Sequence, residues 1–175
     1  TFNTQLGLLR GSCTAAVSDC NDDACLTAMS EMTAVLPAGN HYVVVEAGTA
    51  TAAGSFTLNI DHVPQASSGT LVLPSGFSTF TGQFNGALAG AVNPSCATTG
   101  PELLYYWTRC PSDPAATLTA QTCNQSTSSC DVSTTLYVLG AAGEIACASG
   151  GGSCGSRYSD LSAAIPAGSG LYGLY

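Results

Sequence analysis

The sequence contains no lysine and carries little charge of either sign. Only 8 % of its 175 residues are charged, whereas roughly 25 % is usual for a soluble domain. The cations are Arg10, Arg109 and Arg157, and with eleven carboxylates the net charge is −8. Nucleic acids and anionic membrane surfaces are bound through clustered lysine and arginine side chains, so this composition disfavours both as partners.

Long apolar runs are missing as well. A membrane-spanning helix needs about 18 or more consecutive apolar residues, and the sequence has no such run. We therefore expect no membrane insertion. The chain starts "TFNTQLGLL", without a methionine or a basic segment, and we expect that any signal peptide has already been removed.

Histidine, the side chain that most readily serves as a base near neutral pH, occurs only twice. His41 opens one predicted strand and His62 follows another. Neither adjoins a Gly-x-Ser-x-Gly nucleophile motif, so we expect both at the surface. We predict that the protein is not an enzyme.

Nine cysteines are the most informative residues that the sequence does contain. Zinc ligands usually occur in pairs separated by about two to four residues, together with histidines, and neither condition is met. We prefer a disulfide framework made in an oxidising, extracellular compartment. The predicted bridges are Cys13–Cys20, Cys147–Cys154, Cys123–Cys130 and Cys96–Cys110, the last two only as the simplest connectivity.

Short runs of alternating or continuous apolar residues, bounded by Gly, Pro, Asn or Ser, predict an all-β protein. Their spacing of about ten residues is typical of an antiparallel β-sandwich or jelly roll. The runs are 5–9, 41–46, 55–60, 70–74, 103–108, 116–122 and 135–139. "DDACLTAMSEM" (22–32) fits a short helix or a loop equally well. The predicted core is Leu6, Leu8, Val43, Val45, Phe56, Leu58, Leu104, Trp107, Leu136 and Val138.

The chain contains an internal repeat with a period of about one domain. "TAVLPAGNHYVVVE" (33–46) aligns without a gap to "SAAIPAGSGLYGLY" (162–175), and "FNTQLGLLRGSC" (2–13) aligns to "VSTTLYVLGAAG" (132–143). We predict the second half of one copy at 1–63, a linker at 64–69 and a nearly complete copy at 70–175. The strand "AAGSFTLNI" (52–60) closes the first copy and has no counterpart in the second. Cys25 also has no counterpart, so we expect it to be the unpaired cysteine.

The stretches "LGLLRGSCTAAVSDCNDDAC" and "LPAGNHYVVVEAGTATAAGSFTLNI" resemble the C-terminal half of the bacterial pre-peptidase C-terminal domain. The resemblance is to its cysteine-bearing variant, found in repeats of secreted bacterial proteins. "PELLYYWT", "LTAQTC" and "TTLYVLG" match the family's early strands in order. The resemblance implies a secreted jelly-roll sandwich without catalytic activity. The second copy departs from the pattern, with "CASGGGSCGSRYSD" in place of "CNDDAC".

The acidic turn of the first copy is a candidate calcium site. Four oxygen-bearing side chains lie within five residues, and hard oxygen ligands on a loop suit Ca²⁺. The alternative is a turn with solvated carboxylates that caps the following segment. The four residues are Asp19, Asn21, Asp22 and Asp23.

The aromatic run "YYW" is a candidate platform for sugar binding. Successive side chains of a strand point to opposite faces, so Tyr106 would point away from Tyr105 and Trp107. We therefore favour Trp107 as an anchor of the core.

Two functions remain. The preferred one is an extracellular structural protein, a subunit or repeat of a filament or surface array, which self-associates by strand complementation and disulfides. Strand 52–60 would be donated to the incomplete unit 70–175 of a neighbour, and Cys25 would link the copies covalently. The alternative is an accessory module of a secreted hydrolase that binds a polysaccharide or protein ligand.

Overall fold

A computed structural model describes residues 3–66, 69–73, 76, 78–80, 84, 89–98, 100–122, 132–152 and 155–175. The regular structure in these ranges consists of β-strands, and no helix occurs among them, which confirms the all-β prediction. The segment 22–32 forms isolated bridges and turns instead of a helix. Cys123, Cys130 and Cys154 lie outside the described residues, so the Cys123–Cys130 bridge stays a prediction.

The chain divides into two units, Thr1–Ile60 and Asp61–Tyr175. The described part of the predicted linker belongs to the second unit. Val63 and Ala66 pack against that unit's core, and the carbonyl of Pro64 accepts a hydrogen bond from the Tyr175 hydroxyl. The linker at 64–69 stays a prediction, and its described residue Ala66 covers apolar surface of the unit that follows it.

The first unit contains one antiparallel sheet of three strands. They are β1 (Thr4–Arg10), β2 (Val17–Asn21) and β3 (His41–Ala47), in the order β2-β1-β3. Leu8 and Leu9 of β1 are buried, and Leu8 pairs with Val43 of β3. The part of this unit that the structure describes has no second sheet.

The second unit contains two sheets. A five-stranded sheet has the order β4-β5-β10-β7-β8, antiparallel except where β4 runs parallel to β5. A two-stranded antiparallel sheet pairs β6 with β9. The strands are β4 (Thr70–Val72), β5 (Leu104–Arg109), β6 (Ala116–Gln121), β7 (Thr135–Gly140), β8 (Gly143–Ser149), β9 (Asp160–Ile165) and β10 (Gly170–Leu174).

The main core of the second unit lies between its two sheets. Alternate residues of β9 and β6 point inward, against β7 and β10 of the larger sheet. Trp107 of β5 stacks on Tyr172 of β10, with ring centroids 5.3 Å apart. The buried members of this cluster are Leu136, Val138, Leu161, Ala163, Ile165, Tyr172 and Leu174.

The other face of the five-stranded sheet is covered too. Leu104, Tyr137, Leu139 and Tyr175 form a second buried cluster, and Val92 is among the residues packed on it. Because both faces are covered, β7 is buried along four successive residues. A strand covered on both faces reads as a continuous apolar run, as "LYVL" does here.

The two units contain the same three-stranded arrangement. β8-β7-β10 repeats the order and the antiparallel directions of β2-β1-β3. Both hairpins also carry an irregularity at equivalent positions, between Leu8 and Leu9 in β1 and between Val138 and Leu139 in β7. The third strand pairs in a different register. Val138 of β7 pairs with Leu174 of β10, whereas the alignment of the two repeats would place Tyr172 opposite Val138. A shift of two residues keeps the same side chains on the same face.

The predicted core is partly wrong. Leu8, Leu104, Leu136 and Val138 are buried as expected. Leu6, Val45 and Trp107 are half-buried. Val43, Phe56 and Leu58 are 40 %, 55 % and 39 % exposed. All three exposed residues belong to the first unit, in whose described part no second sheet covers them.

The predicted bridges of Cys147 and Cys96 are wrong. Cys147 is bonded to Cys96, with a Cα–Cα distance of 5.8 Å. Cys147 points to the face of β8 that carries the second cluster, and Val92, close to Cys96 in the chain, packs on that same face. The face of the sheet to which Cys147 points therefore decides its disulfide partner. The spacing of cysteines in the sequence did not reveal this face. Cys110 is disulfide-bonded as well, but not to Cys96 as predicted.

The predicted Cys13–Cys20 bridge is also wrong, since both residues are free and exposed. Cys13 lies in the turn between β1 and β2, whereas Cys20 is the fourth residue of β2 and pairs with Gly7. Strand residues advance about 3.3 Å each, and a disulfide needs Cα atoms within roughly 7 Å. Cys25, predicted to be unpaired, is disulfide-bonded within the chain, so it is not available to link copies.

Candidate assembly site

Residues 53–60, "AGSFTLNI", form an apolar segment that lies at the surface. All eight residues are exposed, and Phe56, Leu58 and Ile60 are 55 %, 39 % and 70 % exposed. These three apolar residues alternate with the polar residues Ser55, Thr57 and Asn59. The pattern is that of a strand with one buried face, but the segment forms no strand.

The 53–60 segment has no backbone hydrogen bond to any other described part of the chain. The last such bond before it closes a turn, from the amide of Ala52 to the carbonyl of Thr49. The predicted strand at 55–60 is therefore wrong for the chain by itself. Its polar and apolar residues alternate as in a strand, but no sheet edge in the described chain pairs with it.

Several sheet edges of the described structure are unpaired. β2 and β3 form the edges of the first sheet, β4 and β8 those of the five-stranded sheet, and β6 pairs only with β9. Exposed edges are templates for pairing with other chains, and charged side chains protect against this. β2 carries such protection, since Asp19 forms an ion pair with Arg10 at 2.9 Å.

The four residues of the predicted calcium site either bond to other protein groups or face solvent. Asp19 accepts hydrogen bonds from Arg10 and Ser18, and the bond from Arg10 lowers the pKa of its carboxyl. Asn21 Oδ1 accepts from the amide of Glu31 at 3.2 Å. Asp22 and Asp23 are exposed, and the carboxylates of these aspartates do not gather into a cluster with Asp19. The calcium site stays a prediction, and the geometry offers it no preformed ligand set.

The aromatic run of β5 follows the predicted alternation. Tyr105 and Trp107 pack on the main core, whereas Tyr106 packs on the second cluster, on the opposite face. Phe80 contacts Tyr105, with ring centroids 4.8 Å apart. Tyr105 and Trp107 are half-buried, so this end of the main core is less completely covered than the end beneath β9.

Among the described residues, sequence reasoning missed the most buried carboxylate, Glu102, which is 6 % exposed. It accepts hydrogen bonds from the amides of Ala91 and Val92, at 2.7 and 3.3 Å, and from the Tyr137 hydroxyl. Burial, followed by the bond to Glu102, raises the pKa of Tyr137 far above its usual range. In the sequence, Glu102 was recognisable only as a single acidic residue beside an apolar strand. Because its oxygens are satisfied by amides and a hydroxyl, Glu102 fastens segment 91–92 to the sheet.

Arg109 and His41 also have structural partners. Arg109 is buried and donates to the carbonyls of Pro166, at 2.6 Å, and Pro114. His41 Nε2 lies 2.8 Å from the carbonyl oxygen of Pro37, and His62 is exposed. The contacts of Arg109 and His41 stabilise turns, and none of them brings a histidine to a nucleophile.

The fold and its contacts define an all-β, disulfide-bonded protein with a repeated three-stranded unit and unpaired sheet edges. Disulfides of this kind indicate an oxidising environment, as outside the cell. Among the described residues there is no helix that could cross a membrane. No family model, no curated protein and no solved structure matches the chain.

Proposed function

We propose that this protein is a secreted structural protein whose copies join end to end, each adding its 53–60 segment to a sheet edge of the next. The proposal depends on one observation: an alternating apolar segment is exposed along its whole length and has no strand partner in the described chain. A segment of this kind is favoured in water only when its apolar face is covered, and a neighbouring copy supplies that cover.

Strand addition suits both sides of such a contact. The added segment gains main-chain hydrogen bonds along the edge, and alternate side chains enter the adjoining core. Complete burial of a fully exposed side chain of this size contributes about 1.5–3 kcal/mol, and Phe56, Leu58 and Ile60 would each gain the part that corresponds to their present exposure. Association costs about 4–15 kcal/mol in lost freedom, so the backbone bonds are needed in addition.

The contact would propagate because its two surfaces differ. A segment on one copy and an edge on another make a heterologous interface, which leaves one of each unused at the ends. Such an interface produces a ring if the rotation closes and a filament if it does not. The low content of charged residues supports repeated contact between copies, since burying charge at each contact is costly.

The test is the mass of the purified protein over a range of concentrations. Wild type is expected to form concentration-dependent multimers in sedimentation velocity and threads or rings in negative-stain images. Phe56→Asp combined with Leu58→Asp should give monomers, because two charges would enter the apolar contact.

A matched control places the same charges on the polar face of the same segment. Ser55→Asp combined with Thr57→Asp should still assemble. A wild-type protein that remains monomeric at every concentration would reject the proposal and favour the accessory binding module. Equal loss of assembly in both double variants would show that charge on the segment, and not burial of its apolar face, is responsible.

A further inference from the structure

We propose that the edge that receives the 53–60 segment is the free edge of β6 in the second unit of a neighbouring copy. This inference rests on the proposed function and adds the acceptor to it. Three features of β6 support it: the direction of its free backbone groups, the half-covered core beside it, and the polarity of its outward side chains.

The backbone groups of β6 can be assigned to its two sides. The amide of Thr122 donates to the carbonyl of Ser159 at 3.1 Å, directly opposite in the register of β6 and β9. In antiparallel sheets, hydrogen-bonded and non-bonded positions alternate along a strand. Thr117, Thr119 and Gln121 therefore direct their N–H and C=O groups away from β9, towards the free edge.

The core beside this edge is only partly covered. β9 packs against β8 and β7, and β6 lies on the side of β9 away from β8. Beyond β6 the larger sheet presents Tyr105 and Trp107, both half-buried. An added strand would place its apolar residues beside Tyr105 and Trp107. A separate open groove of about 500 Å³ lies across the start of the β6–β9 pair, lined by Ala115, Ala116, Thr117, Ala164, Ile165 and Pro166.

The polarity of the two strands matches. Leu118 and Ala120 of β6 point into the core, so the intervening threonines point to solvent. The 53–60 segment has the same alternation. With Phe56 and Leu58 directed inward, Thr57 would lie on the outer face beside the β6 threonines, and cross-strand threonine pairs stabilise sheets.

Three of the other free edges fit less well. An added strand beside β3 would have its apolar face uncovered, since the described part of the first unit has no second sheet. β2 carries a charged side chain, Asp19, which forms an ion pair with Arg10 of β1. β4 is only three residues long. The edge of β6 combines three residues with outward backbone groups and the half-buried Tyr105 and Trp107 beyond it.

Proline at Thr119 tests the acceptor. It removes one outward N–H and leaves the bonds to β9 in place, since proline is tolerated where the N–H side of an edge strand faces solvent. Thr119→Pro is expected to abolish assembly, and Thr119→Val, which retains the N–H, should assemble like wild type. If Thr119→Pro assembles like wild type, β6 is not the acceptor, although strand addition at another edge still stands.

Mixing two monomeric variants separates loss of acceptance from misfolding. Thr119→Pro retains an intact 53–60 segment, and the Phe56→Asp, Leu58→Asp chain retains an intact β6 edge. Their mixture is expected to form a complex of one chain of each kind that cannot grow, visible as a single dimer boundary in sedimentation velocity. A mixture that remains monomeric, while Thr119→Val assembles, would overturn the assignment of β6. If wild type itself does not assemble, the proposed function fails first.

Discussion

The same three strands have different surroundings in the two units of this molecule. In the second unit, β10 is paired on both sides, with β7 and β5, and the smaller sheet covers its inner face. In the first unit, the equivalent strand β3 has one partner, β1, and no covering sheet among the described residues. Leu174 is 8 % exposed, whereas Val43, at the equivalent pairing position, is 40 % exposed. Burial therefore follows from the second layer, and the strand sequence alone does not determine it.

A disulfide within the second unit adds to this difference. Cys96–Cys147 fixes a loop segment to the large sheet across 51 residues of chain. The hairpin of the first unit carries two free thiols, Cys13 and Cys20. The units should therefore differ in stability, and the only tryptophan, Trp107, reports the unfolding of the second one.

The largest expected effect is the loss of that disulfide. Replacing both Cys96 and Cys147 by serine should lower the unfolding free energy of the second unit by about 4 kcal/mol, because the unfolded chain regains the freedom of a long loop. Urea unfolding followed by Trp107 fluorescence measures it. A change below about 1 kcal/mol would contradict the view that this bridge is a main constraint on the second unit.

Truncation at equivalent positions tests the difference in layers directly. Leu174→Ala should cost about 2–5 kcal/mol, since it leaves a cavity in a covered core. Val43→Ala should cost less than about 1 kcal/mol, because this side chain is already partly in water. Tryptophan fluorescence follows the second unit and circular dichroism follows both, so a transition seen by circular dichroism but not by fluorescence reports the first unit. Equal costs at the two positions would show that β3 is covered in solution.

Replacing Glu102 by glutamine should have a moderate effect. The amide group introduced by Glu102→Gln would direct a donor towards the amides of Ala91 and Val92 or towards Tyr137, so one buried group would lose its partner at a cost of about 1–3 kcal/mol. Glu46→Gln, the same substitution at an exposed glutamate, should change stability by less than about 0.5 kcal/mol. Urea unfolding of both variants shows whether the Glu102 carboxylate is needed for stability.

High pH should destabilise the second unit selectively. Burial raises the pKa values of Tyr137 and Tyr175 above their usual 10. The folded state therefore retains protons that the unfolded state loses, and stability falls once pH rises above about 10, by roughly 1.4 kcal/mol per pH unit for each group. Tyr137→Phe should reduce this slope. An unchanged slope in that variant would show that Tyr137 does not carry the effect.

The smallest effect is expected at the free thiols of the first unit. Cys13→Ser with Cys20→Ser should change stability by less than about 0.5 kcal/mol, since both side chains are exposed and unbonded. Both should react with a thiol reagent in the native protein. If either resists labelling until the chain is unfolded, a bond forms there in solution.

The sequence predicted those strands that are rich in β-branched, leucine and aromatic residues, and it did not predict the others. β1, β3, β4, β5, β6 and β7 were recognised by that composition, and β10 by its repeat. β9, "DLSAAI", and β8, "GEIACAS", contain alanine, serine and charge, and they are strands because of the partners they meet. The 53–60 segment is the opposite case, a strand sequence without a partner.

Cysteine pairing and the site of Glu102 could not be predicted for a related reason. Spacing along the chain suggested Cys147–Cys154, but β8 turns Cys147 towards the face on which the segment around Cys96 lies. Glu102 appears in the sequence as one more surface acid. It is buried because distant residues, the amides at 91 and 92 and the Tyr137 hydroxyl, meet at its carboxylate.

The placement of the arginines affects the resistance of the folded protein to proteolysis. Trypsin-like proteases cut after lysine or arginine, and this chain offers three such positions. Arg10 and Arg109 lie in strands, and the Arg109 guanidinium is buried against two carbonyls. Arg157 lies in a turn, but its carbonyl accepts a hydrogen bond from the amide of Thr134 at 3.0 Å. Cleavage requires a stretch of chain to open locally. The folded protein should therefore resist trypsin-like proteases under conditions in which many extracellular proteins are digested.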